Sequence, residues 1–166
     1  MRDAGEAEVE ALARRLGAQA AAAGVLIAVA ESCTGGWLAK AITDIPGSSA
    51  WFDRGFVTYS NDAKRELLGV REATLARWGA VSEATAAEMA AGALAHSHAG
   101  LAVAVTGIAG PGGAVPGKPV GTVCFGFVRR GMAPQTETLH FTGDRRAVRL
   151  QSVRHALEGL MERLAG

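Results

Sequence analysis

The sequence predicts an α/β protein, a three-layer α/β/α sandwich around a mainly parallel or mixed sheet. Three observations carry this. Segments of helical composition alternate with short β-type runs along the chain. Two of the runs, 25–30 and 101–105, are apolar at every position, as in strands covered on both faces. The chain closes in a long amphipathic segment, 144–164, with apolar positions at Val148, Val153, Leu157, Leu160, Met161 and Leu164.

Each element follows in order. Residues 7–23 are rich in Ala, Leu, Arg and Glu and read as a helix that Gly24 stops. Residues 25–30 form the first strand, and 31–36 a polar turn containing glycine. Residues 37–45 have helical spacing and end before Pro46. Residues 52–59 read as a strand, and Asn61 or Asp62 is the expected cap of a helix running to Leu68. A short helix follows at 73–78. Ser82 is a strong N-cap for a helix reaching residue 95. The strand 101–105 runs into a glycine-rich loop, 106–119. Strands are expected at 122–128 and 137–141, ahead of the closing helix. No internal repeat or inter-domain linker interrupts this order, so residues 1–166 are expected to form one domain.

Composition narrows the function. A hydrophobic fraction of 49% and a charged fraction of 20% describe a globular chain with a real core. Seventeen Lys and Arg against 16 Asp and Glu leave a net charge of +1, which provides no broad basic field for nucleic acid. The longest apolar stretch, 18–30, is broken by Gln19 and Gly24 and is too short to span a bilayer. The acidic N-terminal residues do not resemble a signal peptide. Cys33 and Cys124 match neither a disulfide framework nor a metal spacing. A reduced, cytoplasmic protein with no membrane or nucleic-acid partner is therefore expected. His96 and His98 look like a metal pair but lack an acidic or cysteine partner, so no metal site is expected.

In open α/β sheets, functional loops commonly follow the carboxyl ends of strands. Two segments occupy that position. The first is VAESCTGG, 29–36, a strand, a turn and a helix start. Ser32, Cys33 and Thr34 put nucleophilic or hydrogen-bonding heads on the turn. Gly35 and Gly36 allow backbone N–H groups to approach a ligand, and a helix N-terminus favours an oxyanion or phosphate. The bland alternative is ordinary helix capping by a hydroxyl. Cys33 is a rival nucleophile, because a thiol at a helix N-terminus has a lowered pKa. The second segment is TGIAGPGG, 106–113. It suits an anion nest but fits neither the Walker nor the dinucleotide spacing, and a plain turn explains it as well.

A serine needs a base. The histidines all look peripheral, which leaves Lys64, after Tyr59, as the candidate. Serine–lysine pairs are a known alternative to serine–histidine. Lys64 qualifies only if burial lowers its pKa; a lysine on a capped helix is otherwise a surface group. Tyr59 is placed to relay the proton or to orient the lysine.

Taken together, AESCTGG (30–36), GFVTYSN (55–61) with Lys64, GAVS (79–82), TGIAGPGG (106–113) and PVGTV (119–123) resemble the CinA C-terminal domain family. Stand-alone members of that family are nicotinamide-mononucleotide amidohydrolases; larger members carry an additional N-terminal domain. The resemblance implies hydrolysis of the substrate carboxamide to the acid, with release of ammonia. It implies a serine nucleophile assisted by lysine and tyrosine, which map onto Ser32, Lys64 and Tyr59, and so ranks Ser32 above Cys33. It implies a metal-independent, cofactor-free enzyme that forms a homo-oligomer, a dimer being expected.

Substrate contacts are expected from Glu31, Cys33, Thr34, Gly35 and Gly36 on the first loop. The second loop would add Thr106, Gly107, Ala109, Gly110, Gly112 and Gly113, with Thr122 lining the pocket and Arg145 or the glycine loop taking the phosphate. Which glycine segment serves the oxyanion and which the phosphate stays open at this point. The alternative is a non-catalytic pyridine-nucleotide-binding or regulatory module. A purely structural subunit, or a metal-dependent phosphatase, fits the polar segments less well.

Overall fold

The computed structural model describes residues 3–165 and contains one five-stranded sheet between two helical layers. The strands are β1 (Ile27–Glu31), β2 (Phe52–Val57), β3 (Leu101–Gly107), β4 (Thr122–Arg129) and β5 (Gln135–His140). They lie in the order β2-β1-β3-β4-β5. The first three are parallel, and β4 and β5 add an antiparallel edge, so the sheet is mixed. The helices are α1 (Ala4–Ala23), α2 (Trp37–Thr43), α3 (Asn61–Leu68), α4 (Glu72–Trp78), α5 (Glu83–Ala95) and α6 (Arg145–Ala165). Among the described residues no helix is long and apolar enough to cross a membrane.

The expected α/β/α layering is borne out, and the strand sequences explain its asymmetry. Side chains alternate across a sheet. In β1 and β3 this sends Ile27, Val29, Leu101, Val103 and Val105 to one face and Ala28, Ala30, Ala102 and Ala104 to the other. The bulky face packs against α1, α2 and α6 through Leu12, Leu16, Leu38, Leu157 and Leu160. The alanine face takes α5, whose Met89, Ala90 and Ala93 join Leu68 and Val70.

Small residues on both sides allow α5 to lie close. A Cβ on Gly126 of β4 would come within 2.5 Å of the Ala86 carbonyl oxygen, and one on Gly92 within 2.0 Å of the Leu68 carbonyl oxygen.

Two boundaries differ from expectation in an informative way. The helix α3 is capped by Ser60, whose Oγ accepts from Ala63 N–H at 3.0 Å, rather than by Asn61 or Asp62. The third strand continues through Thr106 and Gly107, because both residues still pair with β4. The chain stop at Gly24 is as expected, with φ at +67° and its N–H returned to the end of α1.

The close seat of α5 is testable. Gly92→Ala adds a methyl against the Leu68 backbone and is expected to destabilise the fold by about 3 kcal/mol. Gly112→Ala, where nothing lies within 4 Å, is expected to change stability by less than about 0.5 kcal/mol. Urea unfolding of the two variants at neutral pH checks the difference.

Candidate active site

The three parallel strands are in register where β1 and β2 end, and β3 pairs on with β4 for two more residues. Val57, Glu31 and Val105 are register partners across β2, β1 and β3. The next residues are Thr58, Ser32 and Thr106. Two bonds extend the ladder past the strand ends: Ser32 N–H to the Val105 carbonyl at 2.9 Å and Thr58 N–H to the Glu31 carbonyl at 2.8 Å. Three loops thus leave one edge side by side and enclose a cleft of about 260 Å³. Its lining includes Ser32, Cys33, Tyr59, Lys64, Thr106, Gly107, Ala109 and Arg145, together with Asn61, Ala80 and Val81.

The turn after β1 is built by a buried carboxylate. Glu31 is fully buried, and its side chain accepts from the N–H groups of Gly36 (3.2 Å), Leu38 (2.8 Å) and Ala39 (3.0 Å). These are donors that a helix start leaves free. The anion site expected at the N-terminus of α2 is therefore filled by the protein's own charge, and Glu31 faces the helix rather than a ligand.

Gly35 and Gly36 have φ of +57° and +102°, so glycine is needed for the backbone path. Their N–H groups are committed within the turn, Gly35 to the Ser32 carbonyl at 3.0 Å. Of the donors on this turn, the N–H groups of Cys33 and Thr34 are left without an acceptor among the described residues. Thr34 Oγ1 is also buried and unpartnered.

Lys64 is brought to Ser32 by α3. The cap at Ser60 starts this helix, and Lys64 and Leu68, one turn apart, form its buried face. Lys64 is 1% exposed, which overturns the surface reading of this residue. Its Nζ lies 3.1 Å from Ser32 Oγ, 3.0 Å from the Thr58 carbonyl oxygen and 3.5 Å from the Tyr59 carbonyl oxygen. Burial lowers its pKa from the ordinary lysine value. A neutral amine has two N–H donors and one lone pair. Nζ is within donating distance of all three oxygens; in the neutral form two donors would meet the carbonyls and the lone pair would face the serine hydroxyl.

The Tyr59 side chain takes a different place. Lys64 touches its carbonyl, while the phenol is 63% exposed and its hydroxyl accepts from Arg145 Nη2 at 3.1 Å. Arg145 also donates to the Gly110 carbonyl at 2.8 Å, tying the glycine loop to the cleft mouth. Thr106 Oγ1 donates to the Ala80 carbonyl at 2.8 Å.

Gly112 and Gly113 are exposed farther along the loop, outside the cleft lining. Thr122 donates to the Pro119 carbonyl and lines a separate hollow with Trp78, Ser82 and Cys124. The His96 ring bonds the Gly92 carbonyl, His98 lies near Asp53, and no metal-ligating cluster occurs among the described residues.

Sequence reasoning missed two features here. Arg149 of α6 donates to the Cys33 and Thr34 carbonyls, each at 3.1 Å. Nothing in its spacing marks it among the other arginines of that helix. Glu31 was recognisable, since it is a carboxylate at the end of an apolar strand and directly before a helix start.

Cys33 is 5% exposed, and burial pushes its thiol up to about 12. The helix-terminus effect that would lower it is used by Glu31. A neutral thiol is a poor nucleophile. Cys33→Ala is expected to keep activity within about threefold of wild type, and iodoacetamide to leave the rate unchanged. Assay of the alkylated and substituted proteins checks this.

The family model described as the CinA C-terminal domain matches residues 9–164. The nicotinamide-nucleotide amidohydrolase PncC of Escherichia coli is 52% identical over 157 residues, covering 95% of each chain. The protein of the same name from Enterobacter agglomerans is 56% identical over 153 residues, covering 92% of this chain and 93% of its own. A crystal structure of a competence/damage inducible protein from Agrobacterium tumefaciens superposes with a TM-score of 0.92 at 49% identity, covering 96% of each chain. With the family model spanning nearly the whole sequence and the fold shared at this level, the chain belongs to the CinA C-terminal domain family.

Proposed function

We propose that this chain is a nicotinamide-nucleotide amidase that hydrolyses the carboxamide of nicotinamide mononucleotide to nicotinate mononucleotide and ammonia. The names of its relatives support the substrate. The observation that supports the mechanism is the buried Lys64 amine 3.1 Å from Ser32 Oγ, with no salt bridge to Lys64 among the described residues. A carboxylate beside it would keep it charged.

Neutral Lys64 removes the proton of Ser32 as Oγ attacks the carboxamide carbon. The C–O bond forms and the carbonyl electrons move onto oxygen. The Cys33 and Thr34 N–H groups are the donors for this oxyanion. Lys64, now an ammonium held by two carbonyls, returns its proton to the nitrogen; the C–N bond breaks and ammonia leaves an acyl ester on Ser32. Water then attacks the ester with Lys64 as base, and the acid is released.

Tyr59 contributes at two points. Its carbonyl holds the lysine, and its phenol keeps Arg145 at the cleft mouth. Arg145 is the group for the substrate phosphate, a planar cation suited to a phosphate's oxygens.

Two tests follow. The wild type is expected to release ammonia from nicotinamide mononucleotide with or without chelator, and Ser32→Ala to lose that release. Absence of turnover by the wild type overturns the activity.

The base must be neutral, so kcat/KM is expected to rise with pH through a limb below the ordinary lysine range. Lys64→Met is expected to lower the rate about a thousandfold and abolish the limb. Linkage has the same sign. Between the lowered pKa and 10.5 the unfolded chain binds more protons than the folded one, so wild-type stability rises with pH in that window. That rise is absent in Lys64→Met, which denaturant titrations across the window check.

A further inference from the structure

We infer that Arg149 is a positioning residue for the nucleophile turn: from α6 it fixes the Cys33–Thr34 and Thr34–Gly35 peptide groups and so aims the Thr34 N–H at the developing oxyanion. The inference rests on Ser32 being the nucleophile, as proposed above.

The geometry is specific. Arg149 Nε donates to the Cys33 carbonyl at 3.1 Å, and Nη2 donates to the Thr34 carbonyl at 3.1 Å. One edge of a planar guanidinium thus spans two successive carbonyls, a fork that an ammonium does not reproduce. The guanidinium is itself braced over the Trp37 ring at 5.4 Å.

Peptide planarity turns these contacts into directions. In a trans peptide the C=O and N–H point opposite ways. The Cys33 carbonyl shares its peptide with the Thr34 N–H, so holding the carbonyl toward α6 turns that N–H away from α6. The Ser32 carbonyl, held by Gly35 N–H at 3.0 Å, sets the Cys33 N–H by the same rule. Glu31 has already taken the donors of Gly36, Leu38 and Ala39. Both peptide units with free N–H groups thus have pinned carbonyls; the next unit is pinned too, its Thr34 carbonyl by Arg149 and Trp37 N–H and its Gly35 N–H by the Ser32 carbonyl.

Arg146 supplies an internal control. It sits on the same helix and over the same Trp37 ring at 5.5 Å, but its ion pairs go to Asp3 and Glu6 rather than to the turn. Loss of stacking or of helix docking affects both arginines; loss of peptide positioning affects Arg149 alone.

The test compares Arg149→Met, Arg149→Lys and Arg146→Met with wild type, by steady-state kinetics on nicotinamide mononucleotide and by the rate at which a fluorophosphonate labels Ser32. Arg149→Met is expected to lose about 100-fold in kcat and in labelling rate, the scale of one displaced oxyanion donor. KM is expected to stay within about twofold, because the loss is confined to the transition state. The position of the pH limb is expected not to move, since Lys64 is untouched. Arg149→Lys is expected to lie between the two, and it carries the test if the Met variant does not fold. Added methylguanidine is expected to restore part of the rate in Arg149→Ala.

Wild-type kcat and labelling in folded Arg149→Met overturn the inference. So does a rise in KM alone, which would assign Arg149 to substrate binding, and so does an equal loss in Arg146→Met. If the wild type labels at Ser32 but does not turn over the nucleotide, the proposed substrate falls and the labelling rates still decide Arg149. If it neither labels nor turns over, both readings fall together.

Discussion

The site depends on three parallel strands held in one register where β1 and β2 end. Val57, Glu31 and Val105 share a register, and the main-chain bonds of Ser32 and Thr58 carry that register one residue beyond the sheet. A slip of one residue in any strand would turn its side chains to the opposite face. The unequal faces make such a slip costly, because Val29 and Val103 would meet the close-lying α5 in place of alanines. The core therefore sets which residue of each loop stands at the edge. Ser32 lies on the loop after β1 and Lys64 on α3, which follows the loop after β2, yet their separation is set by the same ladder.

On this frame the polar groups divide the work by burial. Glu31 and Lys64 are both shut away from water, and each is satisfied chiefly by backbone. The Glu31 side chain accepts from three peptide N–H groups at a helix start. The amine meets carbonyl oxygens and a hydroxyl in a buried setting, where desolvation works against charge. Two buried ionisable groups near one serine thus sit differently: one holds the turn, and the other, in the proposed mechanism, exchanges a proton. Arg145, at the exposed mouth, keeps its charge in contact with solvent and with whatever enters.

Much of the fold was legible in the sequence because its signals are local. The apolar runs of β1 and β3, the Ser82 cap and the Gly24 stop depend on neighbours within a few residues. The loops after β1 and β3 were legible as chemistry for the same reason: glycines and hydroxyls cluster directly after apolar strands.

What the sequence left open is long-range. Nothing local distinguishes Lys64 from a surface lysine; its burial comes from α3 packing beside α5 and under the 58–59 carbonyls. The filling of the α2 N-terminus by Glu31 had a local signal, a carboxylate between an apolar strand and a helix start, but beside an apparent anion site that carboxylate also reads as a ligand contact. Gly35 and Gly36 were expected to admit a ligand, whereas their positive φ shows that the turn itself requires them. Thr122 follows a glycine near the loop, but its hydroxyl turns back to Pro119.

The contact between Arg149 and Cys33 joins residues 116 positions apart, and the arginine lies on the last helix. A ribosome delivers the serine, the lysine and the glycine loop well before it delivers that helix. A nascent chain held short of α6 has Ser32 and Lys64 but lacks the Arg149 contacts to the turn, and it also lacks part of the cover over the bulky face of the sheet. The arrival of α6, the closing of the core and the setting of the turn after β1 thus coincide, so a nascent chain short of this helix carries the parts of the site without their final geometry.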